Sequence, residues 1–136
     1  MAQDRTRGDG EMLDAVVIGG SFAGISAALY LARGRRSVAV VDEGQTRNRF
    51  ATSAHGLIGH DGKPPAQIRA EGLRDLLAYP EARLIAGRAL RITGQSDDFT
   101  VELTDRNLRC RRLVLAYGMR DLLPDLPGLA EIWGQT

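Results

Sequence analysis

The stretch Leu13-Asp-Ala-Val-Val-Ile-Gly-Gly-Ser-Phe-Ala-Gly24, continued by residues 25–33, decides the fold of this chain. It reads as a buried strand, a glycine turn and a helix of small residues, in that order. Such a turn presents backbone N–H groups, and the N-terminus of the helix adds about half a positive charge. The arrangement is typical of a site that binds the diphosphate of a dinucleotide.

The glycines of this turn have separate roles. Gly19 allows the chain to bend sharply, and Gly24 allows the helix to pack close to its strand. Position 21 is Ser where the G-x-G-x-x-G pattern has its second glycine. A serine hydroxyl can still donate to a phosphate oxygen, although the Cβ of the serine leaves less room for a phosphate to approach the backbone. The sequence therefore predicts a dinucleotide site with one departure from the pattern.

A second predicted strand, at residues 37–41, is followed by Asp42 and Glu43. An acid about 20 residues after the turn is where a carboxylate accepts hydrogen bonds from an adenosine ribose. Its charge disfavours a 2′-phosphate, which fits FAD or NAD better than NADP. An α/β core without any ligand is the alternative interpretation.

The rest of the chain predicts one more helix and more strands. Pro64 and Pro65 open a packing helix that carries Arg69 and Arg74 on its polar face, and residues 83–86 read as a third parallel strand. Three alternating segments then predict an antiparallel meander, and an apolar run predicts a separate buried strand. The segments are 88–93, 99–104 and 108–112, and the run is 113–116.

We therefore expect an α/β fold, a three-layer Rossmann-like domain with a parallel sheet and a small antiparallel β-meander. From residue 119 onward, prolines and a glycine break the pattern. The apolar side chains in that segment need a surface to cover them. We expect the domain to be incomplete. A sheet that lacks one of its strands would have an open edge and an uncovered apolar face, so we expect the chain to form a homo-oligomer.

The long stretch at 44–63 contains Arg47, Asn48 and His55. Loops of this length in compact domains are often functional. The stretch either folds over a bound cofactor, with Arg47 or Asn48 reaching phosphate or ribityl oxygens, or is a solvated surface loop. The spacing of its residues does not decide between the two.

Composition excludes several classes of protein. The chain has 136 residues, a formal net charge of +1, 43% hydrophobic and 26% charged residues, which is ordinary for a globular domain. No apolar run approaches the ~20 residues of a membrane span, and residues 1–12 lack the apolar core of a secretory signal. We expect a cytoplasmic protein that binds neither nucleic acid nor membrane, with 1–12 as a flexible tail.

The single cysteine, Cys110, excludes an internal disulfide and a C-x-x-C pair within these residues. The neighbouring Arg109, Arg111 and Arg112 would lower the pKa of its thiol if they were close in space. The interpretation that we favour is a small side chain on a strand. No group of His, Cys, Asp and Glu has the spacing of metal ligands.

Several motifs follow one another in the order found in thioredoxin reductase-like flavoproteins. They are VVIGGSFAGISAALYLAR, VDEG followed by RN, HGLIGHDG, the meander, and LVLAYGMRDLLPDLPG. The chain resembles the N-terminal part of such a protein. The resemblance implies that residues 13–118 bind FAD and that 119–136 form a linker. The linker would lead to a nicotinamide-binding domain, which would bind NAD(P)H and carry the C-x-x-C pair that this sequence lacks.

The resemblance also implies a role for individual residues. The FAD pyrophosphate would be held by Gly19, Gly20, Ser21, Phe22, Ala23 and Gly24. The adenosine half would be held by Asp42 and Glu43 at the ribose and by the backbone of Arg88 and Ala89 at the adenine. Two further residues, Arg47 and Asn48, would lie near the pyrophosphate and the ribityl chain, and His55 would approach the flavin. The family commonly has the sequence Ala-Thr-Gly in contact with the cofactor at the positions of Ala116, Tyr117 and Gly118. Tyr117 is therefore a departure from the family pattern.

The implied activity is FAD-dependent oxidoreduction, from a nicotinamide to the flavin and then to a disulfide or a small substrate. No residue in this chain stands out as a catalytic acid, base or nucleophile, so we expect no turnover by these residues alone. Two other hypotheses stay open. One is a non-catalytic FAD- or nucleotide-binding or dimerising module. The other is the NAD-binding Rossmann domain of a dehydrogenase, against which the meander argues.

Overall fold

The computed structural model describes residues 10–44, 52–119 and 122–133 of the chain. Within these ranges the strands and helices alternate at first and then give way to a run of strands. In chain order they are β1 (Met12–Ile18), α1 (Phe22–Arg33), β2 (Val38–Asp42), α2 (Pro65–Leu77), β3 (Ala82–Ala86), β4 (Arg91–Gln95), β5 (Asp98–Glu102), β6 (Asn107–Leu115) and α3 (Leu129–Ile132).

The described strands form one mixed sheet in the order β3-β2-β1-β6-β5-β4. The strands β1, β2 and β3 are parallel to one another, and β4 and β5 run antiparallel to their neighbours. Val17 lies opposite Val40 on one side and Val114 on the other. The β-branched run of β1 is explained by this central place, since a strand flanked and covered on both sides buries nearly every side chain. The predicted parallel sheet with an antiparallel meander is confirmed.

One continuous strand, β6, replaces the two strands that the sequence predicted at 108–112 and 113–116. Its first half pairs antiparallel with β5, and β6 also pairs parallel with β1 from Arg109 onward. Cys110 takes part in both ladders, because it lies opposite Phe99 on one side and Leu13 on the other. The hydrophobic pattern changes along β6 because the strand passes from the meander into the centre of the sheet. In the sequence, this change of pattern predicted a boundary between two strands.

The core has one apolar cluster on each face of the sheet, which gives the predicted three layers. Helices α1 and α2 cover the first face, where the buried cluster is Ala15, Val17, Ala28, Ala32, Val38, Val40 and Leu76. On the opposite face, side chains of the meander join those of β1 and β2 in the cluster Leu13, Val16, Ala39, Val41, Val101, Leu103 and Cys110. The two faces alternate along β2, as the pleat of a strand requires.

After β6 the described chain has little regular structure. The helix α3 is short and buries none of its residues. Leu122, Leu126 and Ile132 are exposed, and they belong to the segment whose apolar side chains we expected to need a covering surface. Among the helices of the described ranges, none is both long enough and apolar enough to cross a membrane.

Cys110 is a core residue in this structure. Its side chain is completely buried, and burial raises the pKa of its thiol. Two of the three neighbouring arginines pair with acids, Arg109 with Asp98 at 2.7 Å and Arg112 with Asp97 at 2.5 Å. The interpretation of Cys110 as a small side chain on a strand is confirmed.

We expect the thiol of Cys110 to be unreactive in the folded protein. A raised pKa keeps the thiol protonated at neutral pH, and burial denies a reagent access to the sulfur. Ellman's reagent should modify no thiol in native buffer during the time in which it modifies one per chain in denaturant. Rapid modification of the folded protein would show that the strand carrying Cys110 opens locally.

Candidate functional site

The glycine turn lies where three strands end. The N–H of Gly19 donates to the carbonyl of Val41 at 2.8 Å, and the N–H of Ala116 donates to the carbonyl of Ile18 at 2.8 Å. Gly19 has a φ of +109°, and a Cβ at this position would collide with the backbone carbonyl of Ala116. Only glycine combines that conformation with so close an approach, so the turn is seated between the ends of β2 and β6.

Gly24 brings helix α1 directly onto the turn. A Cβ on Gly24 would collide with the carbonyl oxygen of Gly19 and would lie 3.3 Å from Cγ1 of Val17. Gly24 itself is buried in the first turn of α1. The structure therefore shows the sharp bend that the sequence predicted at Gly19 and the close helix packing that it predicted at Gly24.

The N-terminus of α1 has no side-chain cap. Ser21 is the N-cap residue, its carbonyl accepts from the N–H of Ile25 at 2.9 Å, and its hydroxyl makes no capping hydrogen bond. No acidic residue occupies the first turn. Most helices satisfy these first N–H groups with a side chain, with water or with a ligand. An uncapped N-terminus above a glycine turn fits the diphosphate of a dinucleotide, because both the N–H groups and the helix dipole favour an anion.

Asp42 and Arg69 close around Gly20. Asp42, the last residue of β2, accepts the N–H of Gly20 on Oδ1 at 3.2 Å. Arg69, from α2, donates from Nη2 to Oδ2 of Asp42 at 2.5 Å and from Nε to the carbonyl of Gly20 at 2.7 Å. The side chain of Asp42 is 9% exposed and that of Arg69 is 26% exposed. Both carboxylate oxygens of Asp42 thus have protein partners beside the turn.

Sequence reasoning missed Arg69, because it placed this residue on the polar face of α2. The helix packs against α1, and that packing turns Arg69 toward Gly20 while Arg74 stays 75% exposed. The sequence holds no local signal that separates the two arginines. Asp42 was predicted to lie near the site, but its contact with Gly20 was not predicted.

A shallow open cleft of about 320 Å³ lies between the ends of β2 and β3. Its volume is at the lower end of the ~300–1,000 Å³ typical of small-molecule sites. Its lining includes the last residues of the two strands, Asp42 and Ala86, and the residues that follow them, Glu43, Gly44, Gly87 and Arg88.

The predicted adenosine-site residues divide between this cleft and the core. Glu43 and Arg88 come together at the cleft, with Oε2 of Glu43 3.7 Å from Nε of Arg88. Ala89 packs against the apolar cluster on the meander face of the sheet.

The end of β6 presents the three residues predicted to lie against a cofactor. Ala116 contacts the turn through its backbone, beside Gly19. Gly118 has a φ of +72°, and the side chain of Tyr117 is largely exposed. Tyr117, the departure from Ala-Thr-Gly, is thus directed to the surface in this structure.

The loop before α2 folds back on itself over its described part. The N–H of Ala54 donates to the carbonyl of Lys63 at 2.8 Å, and the side chain of His55 has its polar contacts with Ser53 and Asp61. A hydrogen bond from the N–H of Gly56 lowers the pKa of Asp61. Arg47 and Asn48, predicted to reach phosphate or ribityl oxygens, lie outside the described residues.

Comparison with known proteins gives consistent matches. Residues 13–136 match the family model described as pyridine nucleotide-disulphide oxidoreductase. The chain is 36% identical over 129 residues to thioredoxin reductase tcpT of Claviceps purpurea, covering 92% of this chain and 40% of that protein. It is 32% identical over 128 residues to thioredoxin reductase sirT of Leptosphaeria maculans, covering 91% of this chain and 39% of that protein.

Among solved structures, an oxidoreductase from Agrobacterium tumefaciens superposes with a TM-score of 0.87 and 44% identity. That match covers 91% of this chain and 42% of the other. The chain therefore spans about 40% of the length of each of these relatives.

Proposed function

Because the chain belongs to the pyridine nucleotide-disulphide oxidoreductase family, we propose that it forms the FAD-binding part of a thioredoxin reductase-like oxidoreductase. FAD, when bound, supplies the redox centre that takes a hydride from a nicotinamide and reduces a disulfide or a small substrate. The residues of this chain contribute binding, orientation and electrostatics.

The observation that carries the proposal is the uncapped N-terminus of α1 above the glycine turn. Gly19 and Gly24 bring the strand end, the turn and the helix so close together that a Cβ at either position would collide with a backbone oxygen. The first N–H groups of α1, at Phe22, Ala23 and Gly24, have no side-chain cap. We assign the diphosphate of FAD to these N–H groups, with the hydroxyl of Ser21 as a further donor.

The cleft between β2 and β3 supports an adenosine site next to that turn. In the parallel part of the sheet, the carboxyl ends of the strands are where such folds bind nucleotides. We assign the ribose to the acids Asp42 and Glu43, and the adenine to the backbone that follows β3, at Gly87 and Arg88. The cleft is open to solvent along Glu43 and Arg88, which suits a flat base better than a deeply enclosed ligand.

Thiol chemistry is not part of the proposed role of these residues. The one cysteine of the sequence is buried in the core. We therefore assign disulfide reduction and the binding of NAD(P)H to residues of the oxidoreductase outside this sequence. The substrate and the choice between NADH and NADPH stay open in this proposal.

Titration with four ligands tests the proposal. We expect FAD and ADP to bind this chain one to one and to compete with each other, because both carry the adenosine and the diphosphate. FMN, which has a single phosphate and no adenosine, should bind much more weakly. Flavin fluorescence quenching measures FAD and FMN, and isothermal titration calorimetry measures ADP and NAD.

The same titration separates the alternatives. NAD shares the adenosine and the diphosphate with FAD and ADP, so ADP is the reference: binding of NAD more tightly than ADP, with no such gain for FAD, would favour the NAD-binding domain of a dehydrogenase. Failure of both FAD and ADP to bind would contradict the proposal. A non-catalytic module, the second candidate, would bind FAD but support no NAD(P)H-dependent reduction of it in any form of the protein.

A further inference from the structure

We propose that Arg69 is a positioning residue for the diphosphate-binding turn, reaching from α2 to hold Gly20 and Asp42 in place before any ligand binds. The inference rests on the proposed function, because it takes the turn as the diphosphate site. It assigns to α2 a role in ligand binding that its sequence pattern, that of a packing helix, does not indicate.

The first argument is geometric. Arg69 donates from Nε to the carbonyl of Gly20 at 2.7 Å and from Nη2 to Oδ2 of Asp42 at 2.5 Å. Asp42 in turn accepts the N–H of Gly20 at 3.2 Å. The three residues form a closed ring in which both backbone polar atoms of Gly20 are held. The planar fork of a guanidinium can make two such bonds at once, whereas a lysine ammonium has no equivalent fork.

The ring also sets the direction of the next backbone donor. The peptide that joins Gly20 to Ser21 is trans, since the described backbone has no cis bond. In a trans peptide the C=O and the N–H point in opposite directions. Holding the carbonyl of Gly20 toward Arg69 therefore turns the N–H of Ser21 to the far side of the turn, away from Arg69.

Close packing leaves Gly20 and Asp42 little freedom to separate. A Cβ on Gly20 would lie 2.7 Å from both Cβ and Cγ of Asp42. A side chain at position 20 would therefore displace the carboxylate of Asp42, the last residue of β2, whatever a ligand requires. The contact ties the conformation of the turn to the position of the Asp42 carboxylate, which Arg69 holds.

Charge gives Arg69 a second effect on anion binding. The Asp42 carboxylate is 9% exposed and lies within hydrogen-bonding distance of the turn. Paired with Arg69, it presents little net charge to a diphosphate. Without Arg69 it would be a poorly solvated negative charge beside the anion site, and it would oppose binding.

Replacing Arg69 by methionine tests the inference, with Arg74→Met as the matched control. Both arginines lie on α2, but the ion-pair partner of Arg74 among the described residues is Asp75, and these two side chains are 75% and 61% exposed. We expect Arg69→Met to weaken the binding of ADP and FAD by about 10- to 100-fold, the range for loss of charged hydrogen bonds. Arg74→Met should leave both affinities unchanged.

A second pair of variants separates positioning from a general effect on folding. Asp42→Asn combined with Arg69→Met should bind inorganic pyrophosphate more tightly than Arg69→Met alone, because the unpaired charge is gone and this probe lacks the ribose that we assign to Asp42. Arg69→Lys keeps the charge without the fork and should fall between the wild type and Arg69→Met. The melting temperature of Arg69→Lys, compared with that of Arg74→Met, reports whether the fold is intact. If Arg69→Met does not fold, the affinity of Arg69→Lys serves as the test.

Each outcome of these titrations is decisive. Wild-type affinity in Arg69→Met or in Arg69→Lys would overturn the inference while leaving the proposed function intact. If Arg69→Met loses affinity and the double variant does not recover it, Arg69 has a structural role only and does not position the turn for an anion. If the wild-type chain itself bound neither ADP nor FAD, the proposed function would fail, and this inference with it.

Discussion

Gly24→Ala will remove FAD and ADP binding and destabilise the apoprotein by about 1–3 kcal/mol, the usual range for overpacking. The added Cβ would collide with the carbonyl oxygen of Gly19 and lie 2.9 Å from its carbonyl carbon. Both are backbone atoms of a turn held by hydrogen bonds, so they cannot move aside cheaply. The helix must shift away from the turn instead, which separates the N–H groups that we assign to the diphosphate.

The control is the same substitution in the neighbouring helix. A Cβ on Gly72 of α2 would come 3.2 Å from Cγ2 of Ile25, a side-chain methyl that can give way. Alanine also improves helix propensity over glycine by about 1 kcal/mol. Gly72→Ala should therefore bind ADP like the wild type and keep a similar free energy of unfolding. Calorimetry measures the affinity for ADP and urea denaturation the free energy of unfolding, in both Gly72→Ala and Gly24→Ala. Equal behaviour of the two variants would show that the turn and α1 are not in tight contact.

Leu76→Ala will destabilise the protein by about 2–5 kcal/mol, the range for truncating a buried leucine. Leu76 is completely buried and belongs to the cluster that joins α2 to β2. Its removal leaves a cavity between helix and sheet that the rigid strand cannot fill. Because α2 also carries Arg69, we expect the affinity for ADP to fall in the same variant.

Leu77→Ala is the matched control for that measurement. Leu77 is the next residue of α2 but is 45% exposed, so its truncation should cost less than about 1 kcal/mol. Urea denaturation followed by circular dichroism gives the midpoint for both variants. Equal midpoints would mean that α2 does not pack on the sheet as described, which would also remove the basis for the role of Arg69.

The part of the fold that could be predicted from the sequence is the part that local patterns determine. The strand, turn and helix at 13–33 were predicted because a β-branched run, two glycines and an alanine-rich segment each restrict the backbone within a few residues. The place of Asp42 at the end of β2 was predicted for the same reason. Its carboxylate comes near the turn because parallel neighbours end at the same edge of the sheet.

The continuity of β6 could not be predicted from its own residues. The strand alternates like a meander strand where it pairs with β5, and it becomes apolar where it enters the centre of the sheet. Which neighbour lies on each side of Cys110 depends on residues almost 100 positions away, as its pairing with Leu13 shows. The local hydrophobic pattern therefore indicated two separate strands where one strand changes from pairing with β5 to pairing with β1.

The amino-acid sequence by itself determined the glycine turn, the helix that follows it and the acid at the end of β2, because each depends on steric and conformational limits within one segment. Only the tertiary structure decided that β6 is a single strand, that a cleft opens between the ends of β2 and β3, and that Arg69 rather than Arg74 reaches Gly20. These features depend on how segments far apart in the chain pack together. The helical pattern that puts both arginines on the polar face of α2 does not state which part of that face will meet the turn.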